Sequence, residues 1–314
     1  MMRGNSSQRG VALIVALLVV ALATVLIAGL LDRGELTAAR TRNQLRAEQA
    51  RAYSLGLEAY AAKVLSRDAE NGKTDAADDI WALPLPPTPV PGGEITATMG
   101  DLNGRFNLNN LDPKKSNLNA DAWKTKFSTL LRALKLDPTL AQNVVAWMSA
   151  NASTNGTNAD DAYYLGQSVP YRAAHREFMH VSELRLVKGV DGDVYAALAP
   201  YVSALPAGTT INLNTASVPV LMTMKQSMTE AEAQPIWQQG HANFTTPQEA
   251  IKAQPALGGV IECEVCYSVQ SSYFLARGEI TLDGLPFTFY SLIERRIESP
   301  GGIRVLQRSS GADD

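Results

Sequence analysis

Arg9-Gly10-Val11-Ala12-Leu13-Ile14 opens an uncharged run that continues without a break to Leu31, VALIVALLVVALATVLIAGLL. At about 1.5 Å per residue, these 21 residues form a helix long enough to cross a bilayer core of about 30 Å. The run exceeds the roughly 7–15 apolar residues of a secretory signal, and no small-x-small cleavage site closes it. Arg3 and Arg9 precede it and Asp32 follows it. That asymmetry keeps the first residues in the cytoplasm and exports the rest, so a single-pass anchor with a periplasmic or extracellular body is expected.

Beyond the apolar run the pattern stays helical. Leu36, Ala39, Leu45, Ala50, Tyr53, Leu57, Tyr60, Ala61 and Val64 recur near helical spacing, and no proline appears until Pro84. One helix is expected over 11–66, roughly 80 Å long, with its first part (11–31) in lipid and its second offering an apolar stripe to a globular head. The Pro-rich stretch 71–93, which includes PLPPTPVPGG, cannot continue a helix and reads as a surface connector. Glu94 to Met99 alternates as a strand and is expected to turn at either Gly100-Asp101 or Asn103-Gly104. The period then becomes helical. Trp123, Phe127, Leu130, Leu131 and Leu134 form one stripe, and Leu140, Val144, Val145, Trp147 and Met148 a second. Alternation returns in SYFLARGEITL, PFTFYSLIERRI and IRVLQR, parted by Asp283-Gly284 and Pro300-Gly301-Gly302.

The 314 residues are 46% hydrophobic and 19% charged, enough for a sizeable core and unlike a disordered chain. A net charge of -3 with scattered Lys and Arg supplies no basic face for nucleic acid. The three histidines, His175, His180 and His241, are far apart, and no serine sits in a G-x-S-x-G elbow, so nothing points to an enzyme. Cys263 and Cys266 are the only cysteines, too few for a structural zinc site. They could be a redox pair, but the acidic neighbours Glu262 and Glu264 raise a thiol pKa, and a structural disulfide is the preferred reading.

A short polar leader ending in Arg9-Gly10, followed directly by Val11-Ala12-Leu13-Ile14, resembles the processing site of type IV pilins and pseudopilins. The resemblance implies cleavage between Gly10 and Val11 by a prepilin peptidase. Pilin-like proteins mostly carry Glu at the fifth mature position, where this chain has Val15. Loss of that Glu, together with the unusual length, resembles the protein K family, the large minor pseudopilins of type II secretion systems. GDLNGRFNLN (100–109), DDAYYL (160–165), PYRAA (170–174), VSELRLVKGV (181–190), INLNTA (211–216) and SSYFL (271–275) follow in that family's order.

The fold expected is α+β, with a long N-terminal helix on a small antiparallel pilin-like sheet that a large α-helical insertion interrupts. The expected segments are a leader (1–10), the helix (11–66), the first part of the head (67–111), the insertion (112–260) and a C-terminal β part (261–314). The resemblance implies an inner-membrane protein with a periplasmic head that caps a bundle of minor pseudopilins I, J and H above the major pseudopilin. It also implies calcium in the insertion. The run SANASTNGTNADD (149–161) has the oxygen-rich composition of a calcium loop, with Asp160 and Asp161 the best ligands, although Ser149, Asn151 and Ser153 stand where the family usually has acids. One rival is an exported helix-hairpin-helix binding module of the DNA-uptake kind, because INLNTA precedes helices. Met224-Lys225-Gln226-Ser227-Met228 lacks the paired glycines such a hairpin uses.

Overall fold

Helix α1 spans Ser7–Asn71 in the computed structural model, which describes residues 7–112, 120–149, 159–258, 263–296 and 302–311. It runs past the expected end at residue 66, because Arg67, Ala69 and Glu70 are good helix formers and Gly72 stops it, its N–H donating to Asp68 O at 3.1 Å. By internal contacts the chain divides into two units, 1–54 and 55–314. The described part of the first is helical throughout, and the large side chains from Val11 to Leu31 are all exposed.

In the second unit, α1 gives way to strands β1 (Leu85–Val90) and β2 (Gly93–Asp101). The chain then leaves the sheet for β3 (Phe106–Asn107), helices α2 (Ala120–Ala133), α3 (Leu140–Met148), α4 (Ala159–Leu165) and α5 (Gly192–Leu198), and short strands β4 (Val202–Ser203) and β5 (Ile211–Asn212). Helices α6 (Val218–Leu221), α7 (Glu230–Trp237) and α8 (Pro247–Ala253) and strand β6 (Tyr267–Ser268) follow. It returns as β7 (Tyr273–Leu282), β8 (Leu285–Arg295) and β9 (Ile303–Ser310).

The main sheet has the order β1-β2-β7-β8-β9, antiparallel throughout. β2 and β7 are direct neighbours, with Asp101 opposite Phe274, so all of 102–272 is inserted between two adjacent strands. Asp283 (φ 48°) and Gly284 (φ 78°) are both left-handed, the tight turn that matches the twist of a two-residue hairpin between β7 and β8. The other late turn signal, Pro300-Gly301-Gly302, falls largely outside the described residues.

Period-two alternation gives β7 two apolar faces. Phe274 and Ala276 join Ala61, Leu65, Trp81 and Ile293 in a small core beneath α1, where Trp81 meets Phe274 edge to face at 5.1 Å. Tyr273 and Leu275 point the other way, to Leu102 and Leu205 of the insertion. Gly278 lets α1 come close, since a Cβ there would lie 2.7 Å from Leu57 Cδ1. Glu58 of α1 fastens the same contact, accepting from Ser291 Oγ at 2.6 Å and from Arg308 Nε at 2.8 Å and Nη2 at 2.9 Å. Burial alone would raise the Glu58 pKa, but the Arg308 and Ser291 bonds outweigh it and hold it below the usual value.

The insertion has its own core, with Phe106, Trp123, Phe127, Leu130 and Leu131 all fully buried. It contains the same device twice. Phe106-Asn107-Leu108-Asn109 and Ile211-Asn212-Leu213-Asn214 each begin in a two-residue parallel ladder, β3 with β4 and β5 with β6. Asn109 clamps the backbone of Phe178, accepting its N–H at 2.7 Å and donating to its carbonyl at 2.9 Å. Asn214 treats Phe244 alike, at 2.8 and 3.1 Å. Five residues after each phenylalanine, Glu183 and Glu249 accept the backbone N–H of Met179 and Thr245 at 2.7 and 2.8 Å.

Three readings need correction. The stretch expected as a plain connector contains edge strand β1, in which three prolines are tolerated because an edge strand needs only one hydrogen-bonded side. Of the two expected turn positions the chain turns at Asn103-Gly104, while Gly100-Asp101 ends β2, whose hairpin partner is β1, before it, and not a strand after it. The insertion also reaches further than 112–260, since Phe106, Leu108 and Leu111 at one end and Tyr267 and Val269 at the other pack into its core.

Candidate functional site

Gly10, Val11 and Val15 lie on α1, with Val11 and Val15 largely exposed, while leader residues 1–6 lie outside the described residues. Among the described residues one helix is long and apolar enough to cross a membrane, and this is it. A Cβ built on Gly10 meets no atom within 4 Å, so the chain itself would accept a larger residue there.

Asp160 and Asp161 begin helix α4; the Asp160 side chain and residues 150–158 lie outside the described residues. Asp161 is 8% exposed. Its Oδ1 accepts the Ala173 N–H at 3.1 Å and lies 3.3 Å from His175 Nε2, whose ring uses Nδ1 on Ser149 O at 2.7 Å. With Nδ1 donating to a carbonyl, Nε2 donates to Asp161 only when the ring carries both protons. The second carboxylate oxygen makes no bond among the described residues, which leaves it able to serve a cation. That is one oxygen of the six to eight that calcium takes.

Cys263 and Cys266 are joined by a disulfide just ahead of β6. The segment 225–228, between α6 and α7, has no left-handed residue.

A charge cluster that no sequence pattern marks lies where α1, the connector and β8 meet. Asp68, Asp75 and Asp79 bring carboxylate oxygens within 4.8 Å of one another. Arg295 offsets part of that charge, donating to Asp68 at 2.9 Å and to Asp75, while Asp79 accepts the Ala76 N–H at 2.7 Å. Burial lifts Asp68 to about 6 against the Arg295 hydrogen bond, and Asp75 adds to the rise. Beside it, the Asp101 carboxyl turns inward onto Ser271 Oγ at 2.6 Å, the Asn103 N–H at 2.7 Å and the Thr215 hydroxyl. Desolvation lifts it to about 6 in spite of those bonds. Asp101 closes β2 where the chain departs, and Ser271 precedes β7 where it returns, so the network ties together both ends of the insertion.

The arrangement has close relatives. A family model described as "Type II secretion system (T2SS), protein K" matches residues 104–207. The chain is 36% identical to the type II secretion system protein K of Pseudomonas aeruginosa over 97% of this chain and 93% of that one. It is 32% identical to the protein K of Pectobacterium carotovorum over 98% of each. This chain belongs to the type II secretion system protein K family. A solved structure, the GspK-GspI-GspJ complex of enterotoxigenic Escherichia coli, contains a chain that matches with a TM-score of 0.74 and 29% identity, over 87% of this chain and 99% of that one. The expected α+β architecture is thus the architecture of protein K, and the apolar part of α1 fits a single membrane anchor in such a secretion component. The names of these relatives are those of secretion-system proteins, not of enzymes.

Proposed function

We propose that this protein is the tip subunit of a type II secretion pseudopilus, priming its assembly and so helping folded proteins cross the outer membrane. The observation that carries this reading is the match over 99% of a chain solved in complex with GspI and GspJ. Minor pseudopilins I and J are accordingly the proposed direct partners, with H and the major pseudopilin below them. A prepilin peptidase removes residues 1–10 on the cytoplasmic side of the inner membrane, and helix 11–31 stays in the bilayer until assembly draws it out. Val15 supports the terminal position. A carboxylate at that depth is costly unless a neighbour pairs with it, and a subunit with nothing above it has no such neighbour. The work is mechanical, done by a helix and a head, and asks for no catalytic group. Calcium bound by Asp160, Asp161 and the adjoining oxygen-rich loop stabilises the insertion in this reading, since an ion that binds only the folded state raises stability.

N-terminal sequencing of the protein extracted from membranes tests the proposal, and Val11 is expected as the first residue. Gly10→Ala should retain the leader and lower secretion. The space around Gly10 means that this failure would report the peptidase, not misfolding. A mature start elsewhere, or full processing of the variant, would overturn the assigned site.

A further inference from the structure

β1 and β9 form the two edges of the main sheet. β1 joins β2 through the two-residue loop Pro91-Gly92, which makes Val90 and Gly93 the closing hydrogen-bonded pair. Backbone polar groups alternate sides along an antiparallel strand, so Gly93, Ile95 and Ala97 turn theirs to β1. Their partners there are Val90, Thr88 and Leu85. The hairpin of β7 and β8 fixes the same phase independently, because closure at Leu282 and Leu285 leaves Thr281 and Glu279 turned to Glu94 and Thr96 of β2. Pro86, Pro87 and Pro89 are the remaining residues of β1. Theirs are the positions at which an N–H would point away from the sheet, and all three are exposed. The outer edge of β1 therefore offers no N–H donor. The Pro86 carbonyl is engaged as well, accepting from Thr88 Oγ1 at 2.9 Å, and the register shifts between Leu85 and Thr88.

We infer that β1 is a built-in barrier against edge-to-edge pairing with a second copy of this chain, made by removing every outward-facing donor from the strand. An exposed edge strand is a template for a further strand, and natural sheets protect it with charge, bulges or proline. From Leu85 to Gly93 the chain has no charged residue, so charge does not guard this edge and the prolines do. A second copy is the partner to be kept away, because two β1 edges related by a two-fold axis would meet antiparallel with identical surfaces. Copies anchored by the apolar run of α1 share one membrane plane, which concentrates their heads and raises that risk.

The test uses the full chain in detergent, with light scattering on a sizing column for mass and Thr88→Cys as a reporter of contact. Pro87→Thr with Pro89→Thr restores two outward donors per copy. A two-fold pairing centred on Thr88 uses all of them, and it sets residue 88 of one copy opposite residue 88 of the other, within reach of a disulfide on mild oxidation. This Thr pair should raise self-association about tenfold or more over the parent and give the cross-linked dimer. Pro87→Lys with Pro89→Lys restores the same donors but sets like charges opposite each other, and should stay in the parent's state. Both substituted prolines are exposed, so melting curves matching the parent are expected and separate edge pairing from unfolding. Should the Thr pair melt early, Pro89→Thr alone is read in the same way, since it lies clear of the shifted register. Cross-linking of Thr88→Cys with the prolines in place, or no gain in mass for the Thr pair, would overturn the inference. So would a gain in mass without the cross-link, or equal association of the Thr and Lys pairs, either of which would place the contact elsewhere than along this edge.

Discussion

Asp101 sits at the point where the sheet yields the chain to the insertion, and its titration reads the state of that junction. Its folded pKa of about 6 lies above the ordinary 3.8, so the folded state holds the proton more tightly than the unfolded one. Stability from the neutral carboxyl is complete below about pH 4 and is lost as pH rises through about 6. Asp101→Asn keeps the shape and removes the titration. Its melting temperature should therefore gain on the parent between about pH 4 and 6, and the difference should level off above about pH 7. A pH-independent difference would place the carboxyl in an ordinary solvated state. None of this was legible in the sequence. Asp68, Asp75, Asp101 and Arg295 are scattered over 227 positions, and only the strand order brings them together.

At the scale of elements, the long helix and the late strands could be read directly because their signals are local. An uncharged run has one meaning at that length, and β7 to β9 alternate around a turn whose Asp-Gly pair needs left-handed backbone. Edge strand β1 was missed because its prolines argue against a strand everywhere except at an edge, and edge position is a property of the sheet. The doubled Asn clamp was also missed. FNLN and INLN are short and lie far apart, and the repeat becomes apparent only through the matching bonds to Phe178 and Phe244. The packing of α1 on β7 makes a direct prediction. Gly278→Val drives two methyl groups toward Leu57 and should destabilise the protein by about 1–3 kcal/mol, the usual cost of overpacking, measured by denaturant unfolding. Leu57→Ala in the same chain should recover part of that loss, and no recovery would mean that α1 does not sit against Gly278.

At the scale of the whole molecule, the proposed processing and calcium sites rest on different kinds of information. The Gly10-Val11 junction is linear information and needs no fold. A calcium site needs oxygens from several segments, and the bonds of Asp161 to Ala173 and His175 are tertiary facts. If calcium binds there, adding it at 100 times its dissociation constant should stabilise the protein by about 2.7 kcal/mol, and Asp160→Ala with Asp161→Ala should remove that gain. Melting curves that do not change with calcium or chelator would exclude it. The insertion also bears on the proposed position. In the proposed tip position, the insertion between two neighbouring strands occurs once and is not repeated along a shaft. Val15→Glu should accordingly impair assembly, since a carboxylate unpaired in hydrocarbon costs several kcal/mol. The measurement that tests the tip position most directly is the copy number and location of this chain in purified pseudopili, by quantitative mass spectrometry with gold labelling of the head. One copy per filament, at one end, is the result expected; many copies along the shaft would contradict the account.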